Sequence, residues 1–398
     1  MSASSDHASV VIVSVARTPM GGLLGVLSPL SGAQLGAVAI KAAVERAGIA
    51  PSDVDEAILG CCLIAGQGQA PARQAVRGAG LPDSVGATQI SKMCGSGLKA
   101  VMLAHDLIKA GTNTTMVAGG FESMTNAPHL LPKGRSGIRY GAATIYDHMA
   151  VDGLEDAYER GKSMGQFAET CASNYSFSRE AQDAFAVASL ARAKLANEDG
   201  SFDFEITPVE LPGKNGPELI RHDEQPAKGR PDKIPTLKAA FKKDGTITAA
   251  TSSSISDGAA AVVVMSEVES SKRGLQPLAR ILGHASHARL PGEFAIAPVF
   301  AIQSLLDKLS WKAADVDLWE INEAFAVVTM AAMKDHGLPH DKVNIHGGAC
   351  ALGHPIGASG ARILATLIGA LKKTGGKRGI ASLCIGGGEA VAVAIEMI

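Results

Sequence analysis

The chain has 398 residues, of which 46% are apolar and 19% charged, and its formal net charge is −2. This balance describes a soluble globular protein long enough for two domains or more, and it supplies no basic face for nucleic acid. No apolar run is long enough to span a bilayer. Met1 to Ser9 reads as neither a signal nor a transit peptide, and Glu396-Met397-Ile398 is no peroxisomal address, so a cytoplasmic protein is expected.

The first recognisable unit is an amphipathic helix beginning near Leu35, which runs into the Val/Ile/Leu strand around Val54 to Leu59. Cys61 and Cys62 follow. A short β-prone stretch, Ala87 to Ile90, leads to Cys94-Gly95-Ser96-Gly97, and a helix is expected from Ser96 to Ala110, stopped by Gly111. An apolar strand, Met116-Val117-Ala118, then ends in Gly119-Gly120.

Residues 124–248 differ in character. They are rich in Pro, Gly and charge, with one helical stretch from Arg179 to Asn197 and loops such as 211–217. This segment reads as an inserted loop domain, the kind of element that grips substrate.

After it the opening pattern returns. Ala39-Ile40 recurs as Ala301-Ile302, and Asp53-Val54-Asp55 as Asp315-Val316-Asp317, each 262 residues further on. Ser359-Gly360 opens a second helix, expected to Lys373 and ended by Gly375-Gly376, and Leu383-Cys384-Ile385 is a second apolar strand running into glycines. The order of elements is the same twice, which points to duplication. The expected α/β fold has two repeated halves, 1–123 with 249–275 and 276–398, and a loop domain at 124–248.

Six cysteines are present, none in Cys-x-x-Cys and none at zinc-finger spacing from a histidine, so neither a metal site nor a disulfide framework is expected. Cys61, Cys62, Cys171 and Cys350 read as small buried hydrophobes. Cys94 differs. Its thiol lies at a helix start, where the macrodipole and free N–H groups favour a thiolate nucleophile. His354, in Gly353-His354-Pro355, occupies the corresponding turn of the second half, so two helix starts related by pseudo-symmetry can aim a base at that thiol. Cys384, before Gly386-Gly387-Gly388, is either a strand-end core thiol or an acid/base group beside an oxyanion-binding glycine run. Asn322, at a strand end in Asn322-Glu323-Ala324-Phe325, either holds a water or carbonyl or caps the next helix.

Taken together, these motifs closely resemble the thiolases of the acetoacetyl-CoA-forming type. The matching segments are Val15 to Pro19, Cys94 to Ala100, Gly119 to Met124, Asn322 to Phe325, Asn344 to Arg362 and Cys384 to Gly388, spread over essentially the whole chain. The resemblance implies the layered α-β-α-β-α thiolase fold and a reversible condensation of two acetyl-CoA into acetoacetyl-CoA and CoA. It implies that Cys94 carries the acyl group, His354 activates it, and Cys384 moves the α-proton. Asn322 would hold a water in one oxyanion hole, and the N–H groups of Cys94 and Gly386 would form another. Ser253 matches the position touching the pantetheine arm, and Leu237 the one near the adenine. Met164 and Phe294 fall at the acyl pocket. Ser163 stands where the family commonly has His, and Lys228 or Arg230 stands in for an Arg beside the CoA phosphates. CoA thioesters are then substrates rather than cofactors, no metal, nucleic acid or membrane takes part, and the enzyme is a homodimer or homotetramer. The competing readings are a degradative 3-ketoacyl-CoA thiolase for longer chains and a non-catalytic acyl-CoA-binding or redox-sensing protein. A ketoacyl-carrier-protein synthase would lack the Cys384 motif.

Overall fold

The computed structural model describes residues 9–213 and 216–398; Lys214 and Asn215 of the loop read at 211–217, and most of the N-terminal stretch, lie outside the described residues. The main strands of the first half are β1 (Val10–Arg17), β2 (Glu56–Gly60), β3 (Gly86–Ile90), β4 (Thr115–Ser123) and β5 (Ser256–Ser266). Those of the second are β6 (Ala279–Ala288), β7 (Leu318–Ile321), β8 (Arg378–Ile385) and β9 (Glu389–Met397). They form one hydrogen-bonded sheet in the order β7-β8-β9-β6-β1-β5-β4-β2-β3. The halves meet at β1 and β6, through the pairs Val11 with Arg280 and Ile12 with Ala279.

Reading outward from that seam, β1-β5-β4-β2 mirrors β6-β9-β8-β7 in both order and direction: antiparallel pairs next to the seam and a parallel pair beyond. A fifth strand, β3, pairs parallel with β2, whereas its counterpart is reduced to a single bridge between Trp319 and Val343. The duplication read from the sequence is thus a duplication of strand order. Its aspartates also repeat their work. Asp55 Oδ2 accepts the N–H groups of Thr114 and Thr115, and Asp317 Oδ2 those of Lys377 and Arg378, so each fixes the entry of its neighbouring strand.

The layers follow from which residues each helix can bury. α1 (Gly32–Ala47) starts at Ser31, where Ser31 and Gln34 close a capping box, and ends at left-handed Gly48. Its Leu35, Ala39, Ile40 and Ala43 cover the outer face of the first half, against Val11, Val117, Ala261 and Val263. In the second half, α5 (Ala297–Leu309) does the same with Ile302, Leu305 and Leu306 against Trp319, Ile380 and Ala392. Between the halves lie α2 (Ser96–Lys109) and α7 (Ser359–Thr374), whose Leu98, Val101, Ile363, Leu364 and Leu367 are buried with Val262 and Val264 on one side and Leu383, Val391 and Val393 on the other. This is the α-β-α-β-α stack. The 124–248 segment contributes α3 (Met164–Tyr175) and α4 (Arg179–Glu198), which pack near α6 (Ala326–His336).

α2 and α7 touch at their first turns through glycine. A Cβ on Gly97 would stand 2.8 Å from the Ala361 nitrogen, and one on Gly360 would stand 2.2 Å from the Leu98 nitrogen. Any side chain at either position would force the helices apart. This reciprocal contact brings the Cys94 turn of one half against the His354 turn of the other.

Candidate active site

Cys94 sits between β3 and α2. The residue before it, Met93, holds φ at +45°, a left-handed conformation that costs a non-glycine residue of order 1–3 kcal/mol. Ser96 holds the turn in this state: its hydroxyl donates to the Met93 carbonyl (2.7 Å) and accepts the Lys92 N–H (2.8 Å). The Gly386 N–H and the N–H of Cys94 itself favour the ionised form of the Cys94 sulfur. Here the sequence expectation of a favoured thiolate needs correction. Burial pushes the thiol up to about 11, outweighing those two N–H groups, and the Glu122 carboxylate adds to the rise. The resting nucleophile is a neutral thiol.

His354 is buried on the facing turn. Its N–H donates to the Ser254 carbonyl (3.1 Å), and its Nδ1 is bonded to Ser359 Oγ. Ser359 Oγ also lies 2.9 Å from the Pro355 carbonyl, to which its one proton is donated. The serine can then only accept from His354, which puts the imidazole hydrogen on Nδ1 and leaves the lone pair on Nε2. That Nε2 is buried and has no partner among the described residues. Burial, reinforced by the Arg362 charge, lowers the imidazole to about 3, so it rests neutral.

Cys384 lies at the end of β8, fully buried, and its thiol is pushed far up by burial and next by neighbouring Cys94. Asn322 follows β7 and hydrogen-bonds through its N–H to the Ser382 carbonyl (3.0 Å), alongside the strand that carries Cys384. Both side-chain amide atoms are buried without a partner among the described residues. The helix-cap alternative fails, because the cap position of α6 is Phe325. Residues 251–254 stitch these pieces together. The Thr251 carbonyl accepts from the Ala326 N–H, the Ser253 N–H donates to the Ala324 carbonyl, and the Ser254 carbonyl accepts from His354. Ser253 thus lies between the Asn322 segment and the His354 turn.

Phe294 is 2% exposed and packs in one cluster with Cys384, Phe167 and Phe325, its ring centroid 6.2 Å from that of Phe325. Met164 begins α3, with its sulfur 3.5 Å from where a Cβ on Gly386 would be. Ser163 is the cap residue of α3, its N–H bonded to Gln166 Oε1. Leu237 belongs to none of these contacts; its carbonyl accepts from Arg179 (2.8 Å). Lys228 is tied to Glu224, and Arg230 is exposed.

Three positioning groups carry more than the sequence reading gives them; Glu323, beside Asn322, is ambiguous on sequence alone. Glu122, quoted only as part of a glycine motif, accepts the N–H groups of Cys62 (3.0 Å), Leu63 (3.0 Å) and Gly357 (2.9 Å), and so ties β4 of the first half to the loop just after His354. Glu323 accepts from Ser189 (2.7 Å), Asn344 (2.8 Å) and the Cys350 N–H (3.1 Å), fixing the Asn322 segment to α4. Cys62 is no background hydrophobe: its sulfur is 3.4 Å from both the Met93 carbonyl and Ser96 Oγ. Behind the site, Arg17 pairs with Glu205 (2.6 Å) and Asp223 (2.7 Å), and Arg362 faces Glu320 at 3.5 Å. A carboxylate accepting three backbone N–H groups leaves no mark in residue spacing, so only the repeat could have flagged these loops.

A half-buried thiol beside two N–H groups, on a turn packed against one whose imidazole has an unpartnered nitrogen, is the arrangement of an acyl-transfer site on a duplicated α/β stack. The chain belongs to the thiolase family: residues 10–268 match the thiolase N-terminal domain and residues 275–397 the thiolase C-terminal domain. It is 50% identical over 389 residues to an acetyl-CoA acetyltransferase of Cupriavidus necator, covering 97% of this chain and 99% of that one. Among solved structures it is similar to the acetyl-CoA acetyltransferase of Bacillus anthracis, with a TM-score of 0.96 and 40% identity over 99% of this chain and all of that one. A thiolase from Ascaris suum in complex with coenzyme A gives a TM-score of 0.92 and 39% identity over 98% of this chain and all of that one. Among the described residues no helix is long and apolar enough to cross a membrane.

Proposed function

We propose that this thiolase reversibly condenses two acetyl-CoA molecules into acetoacetyl-CoA and CoA through an acetyl thioester on Cys94. The observation that carries this reading is a set of unsatisfied groups on the segments that meet at the Cys94 turn: His354 Nε2 and both amide atoms of Asn322 are buried without partners among the described residues, and the Gly386 and Cys94 N–H groups favour the ionised thiol. Buried polar atoms are rarely left unpaired unless a ligand or water completes them.

In the first half-reaction His354 Nε2 takes the Cys94 proton as the sulfur attacks the thioester carbonyl. The developing oxyanion takes over the Cys94 and Gly386 N–H groups, and CoA leaves as a thiol after protonation by Cys384. In the second, the Cys384 thiolate removes an α-proton from the next acetyl-CoA. Its enolate oxygen is held by His354 Nε2–H and a water on Asn322, and the carbanion attacks acetyl-Cys94, whose C–S bond breaks as the released sulfur takes its proton back from His354. Both thiols rest protonated: Cys94 gives its proton to His354 as it attacks, and Cys384 gives its own to the departing CoA. Because the acyl-enzyme forms before the second substrate reacts, ping-pong kinetics follow.

Ser253 and Met164 would line the pantetheine and acyl ends of the CoA site, with Leu237 toward the adenine. CoA is substrate and leaving group, and the chemistry needs no metal. We take residues 124–248 as the domain that closes over it, inserted in the first half (1–123 with 249–275) and facing the second (276–398). We also take the enzyme to be cytoplasmic and a dimer or tetramer. Phe294 walls the acyl pocket. An aromatic there disfavours long straight chains, because overpacking costs roughly 1–3 kcal/mol, whereas Ser163 leaves only a polar notch.

The test is thiolysis across a series of 3-ketoacyl-CoA chain lengths, C4 to C16. The four-carbon substrate should have the highest kcat/KM, and Phe294→Ala should narrow the gap. A ten-carbon substrate equal to or better than the four-carbon one would move the enzyme to the degradative class.

A further inference from the structure

Far from this site, three side chains from the two halves converge at the surface. His105 and Asp106 lie in the last turns of α2, and His284 lies in β6. Nine residues beyond Ser96, at about 1.5 Å of rise each, His105 is about 14 Å along the helix from the end that bears Cys94. Asp106 Oδ1 is 3.0 Å from His105 Nδ1 and 2.8 Å from His284 Nε2. The three atoms all lie within 4.8 Å of one another, and among the described residues no other group of three His, Cys, Asp or Glu side chains does this.

The spacing is informative. Two ligands at right angles around an ion about 2.1 Å away stand about 3.0 Å apart, whereas tetrahedral ligands stand about 3.4 Å apart. Without an ion, both imidazole nitrogens donate to Asp106 Oδ1, and these hydrogen-bonded distances lie nearer the right-angled spacing than the tetrahedral one. Access is asymmetric: the His105 side chain is 8% exposed and that of Asp106 51%, so two imidazoles form the wall and the carboxylate the mouth.

We propose that His105 Nδ1, Asp106 Oδ1 and His284 Nε2 form a binding site for a divalent transition-metal ion of octahedral preference, such as Ni²⁺ or Co²⁺, with water in the remaining positions. Coordination moves the hydrogen of each imidazole, by exchange with solvent, from the nitrogen facing Asp106 to the other ring nitrogen, so that both imidazoles stay neutral. The ion would clip β6 of the second half to α2 of the first. Residue spacing gives no hint of it, because Asp106 and His284 are 178 positions apart. The site does not depend on the acyl-transfer chemistry.

The experiment uses the full-length protein and Co²⁺ or Ni²⁺ alone, followed by calorimetry, visible absorption and thermal melting. One equivalent should bind, Co²⁺ should show weak octahedral d–d bands, and saturating metal should raise Tm by about 2 °C or more. Asp106→Asn and His284→Ala should each weaken binding at least about tenfold and cancel the Tm rise, while metal-free thiolysis stays at the parent level and certifies the fold. Three results overturn the proposal: no binding at millimolar metal, binding that both substitutions leave intact, or an intense thiolate-to-cobalt band, which would put the ion on the cysteines.

Discussion

Cys94 stands just ahead of Ser96 at the start of α2, and His354 just ahead of Ser359 at the start of α7. Each serine hydroxyl donates back to a carbonyl of its own turn, Met93 in one case and Pro355 in the other. What the serine accepts is different. Ser96 takes the Lys92 N–H and so spends its lone pair on backbone shape, whereas Ser359 takes the imidazole and spends it on the protonation of a side chain. One ancestral helix start has therefore become a strained turn that presents a sulfur in one half and a tautomer-setting bond in the other. Neither turn alone can transfer an acyl group, and the glycine contact between Gly97 and Gly360 makes them one site.

The sharpest way to break the comparison is to remove the group unique to the first turn. Cys94→Ser should lower thiolysis by on the order of 10⁴–10⁶, the range for loss of a covalent nucleophile. Incubation with acetyl-CoA and peptide mass spectrometry should place the acetyl group on Cys94 in the parent and nowhere in the variant. A label that survives elsewhere would remove Cys94 from the role.

The next largest effect separates the two half-reactions. Cys384→Ser should still acetylate Cys94 but lose condensation by about 10²–10⁴, and His354→Ala should slow acetylation itself by a similar factor. If Cys384→Ser condenses at the parent rate, the division of labour between the facing turn and the β8 thiol is wrong.

A smaller and quieter effect tests the electrostatics. With its thiol raised to about 11, Cys94 exposes ten times more thiolate for each pH unit up to that value. Alkylation of its peptide by iodoacetamide should rise about 100-fold from pH 7 to 9 and keep rising to pH 10. An exposed thiol of ordinary pKa, about 8.5, flattens by then. A plateau near pH 7 would show a preformed thiolate–imidazolium pair.

That result also marks what could be read from sequence. The repeat was legible because α–β units carry periodic apolar residues and because the two aspartates, Asp55 and Asp317, do a local job at a fixed distance from their strands. The expected helix starts at Ser96 and Ser359 coincide with the observed ones. Acidity was not legible. A helix start lowers a thiol pKa, but here burial by both halves outweighs it, and burial belongs to the assembled fold rather than to the four residues around Cys94. Glu122 was missed for the same reason: its three N–H donors come from two distant loops.

The finest test compares the two serines directly. Ser359→Ala removes the acceptor of His354 Nδ1–H, so the hydrogen is free to move to Nε2, the nitrogen that must be unprotonated to receive the Cys94 proton. One hydrogen bond of roughly 0.5–1.5 kcal/mol is lost, which predicts a fall in acetylation rate of about 2- to 12-fold, with KM little changed. The pH–rate profile of acetylation should move with it, because the acidity of the imidazole changes when its partner is lost. Ser96→Ala costs hydrogen bonds of the same size but spends them on backbone geometry. Its effect should therefore appear as a lower Tm, with the pH profile of the enzyme that remains folded unaltered. Ser359→Thr, which keeps the hydroxyl, should restore the profile if the bond rather than the volume matters. If both alanine variants shift Tm alone and leave the profiles superimposable, Ser359 only shapes its turn, and the two helix starts differ in the side chain they present rather than in how they prepare it.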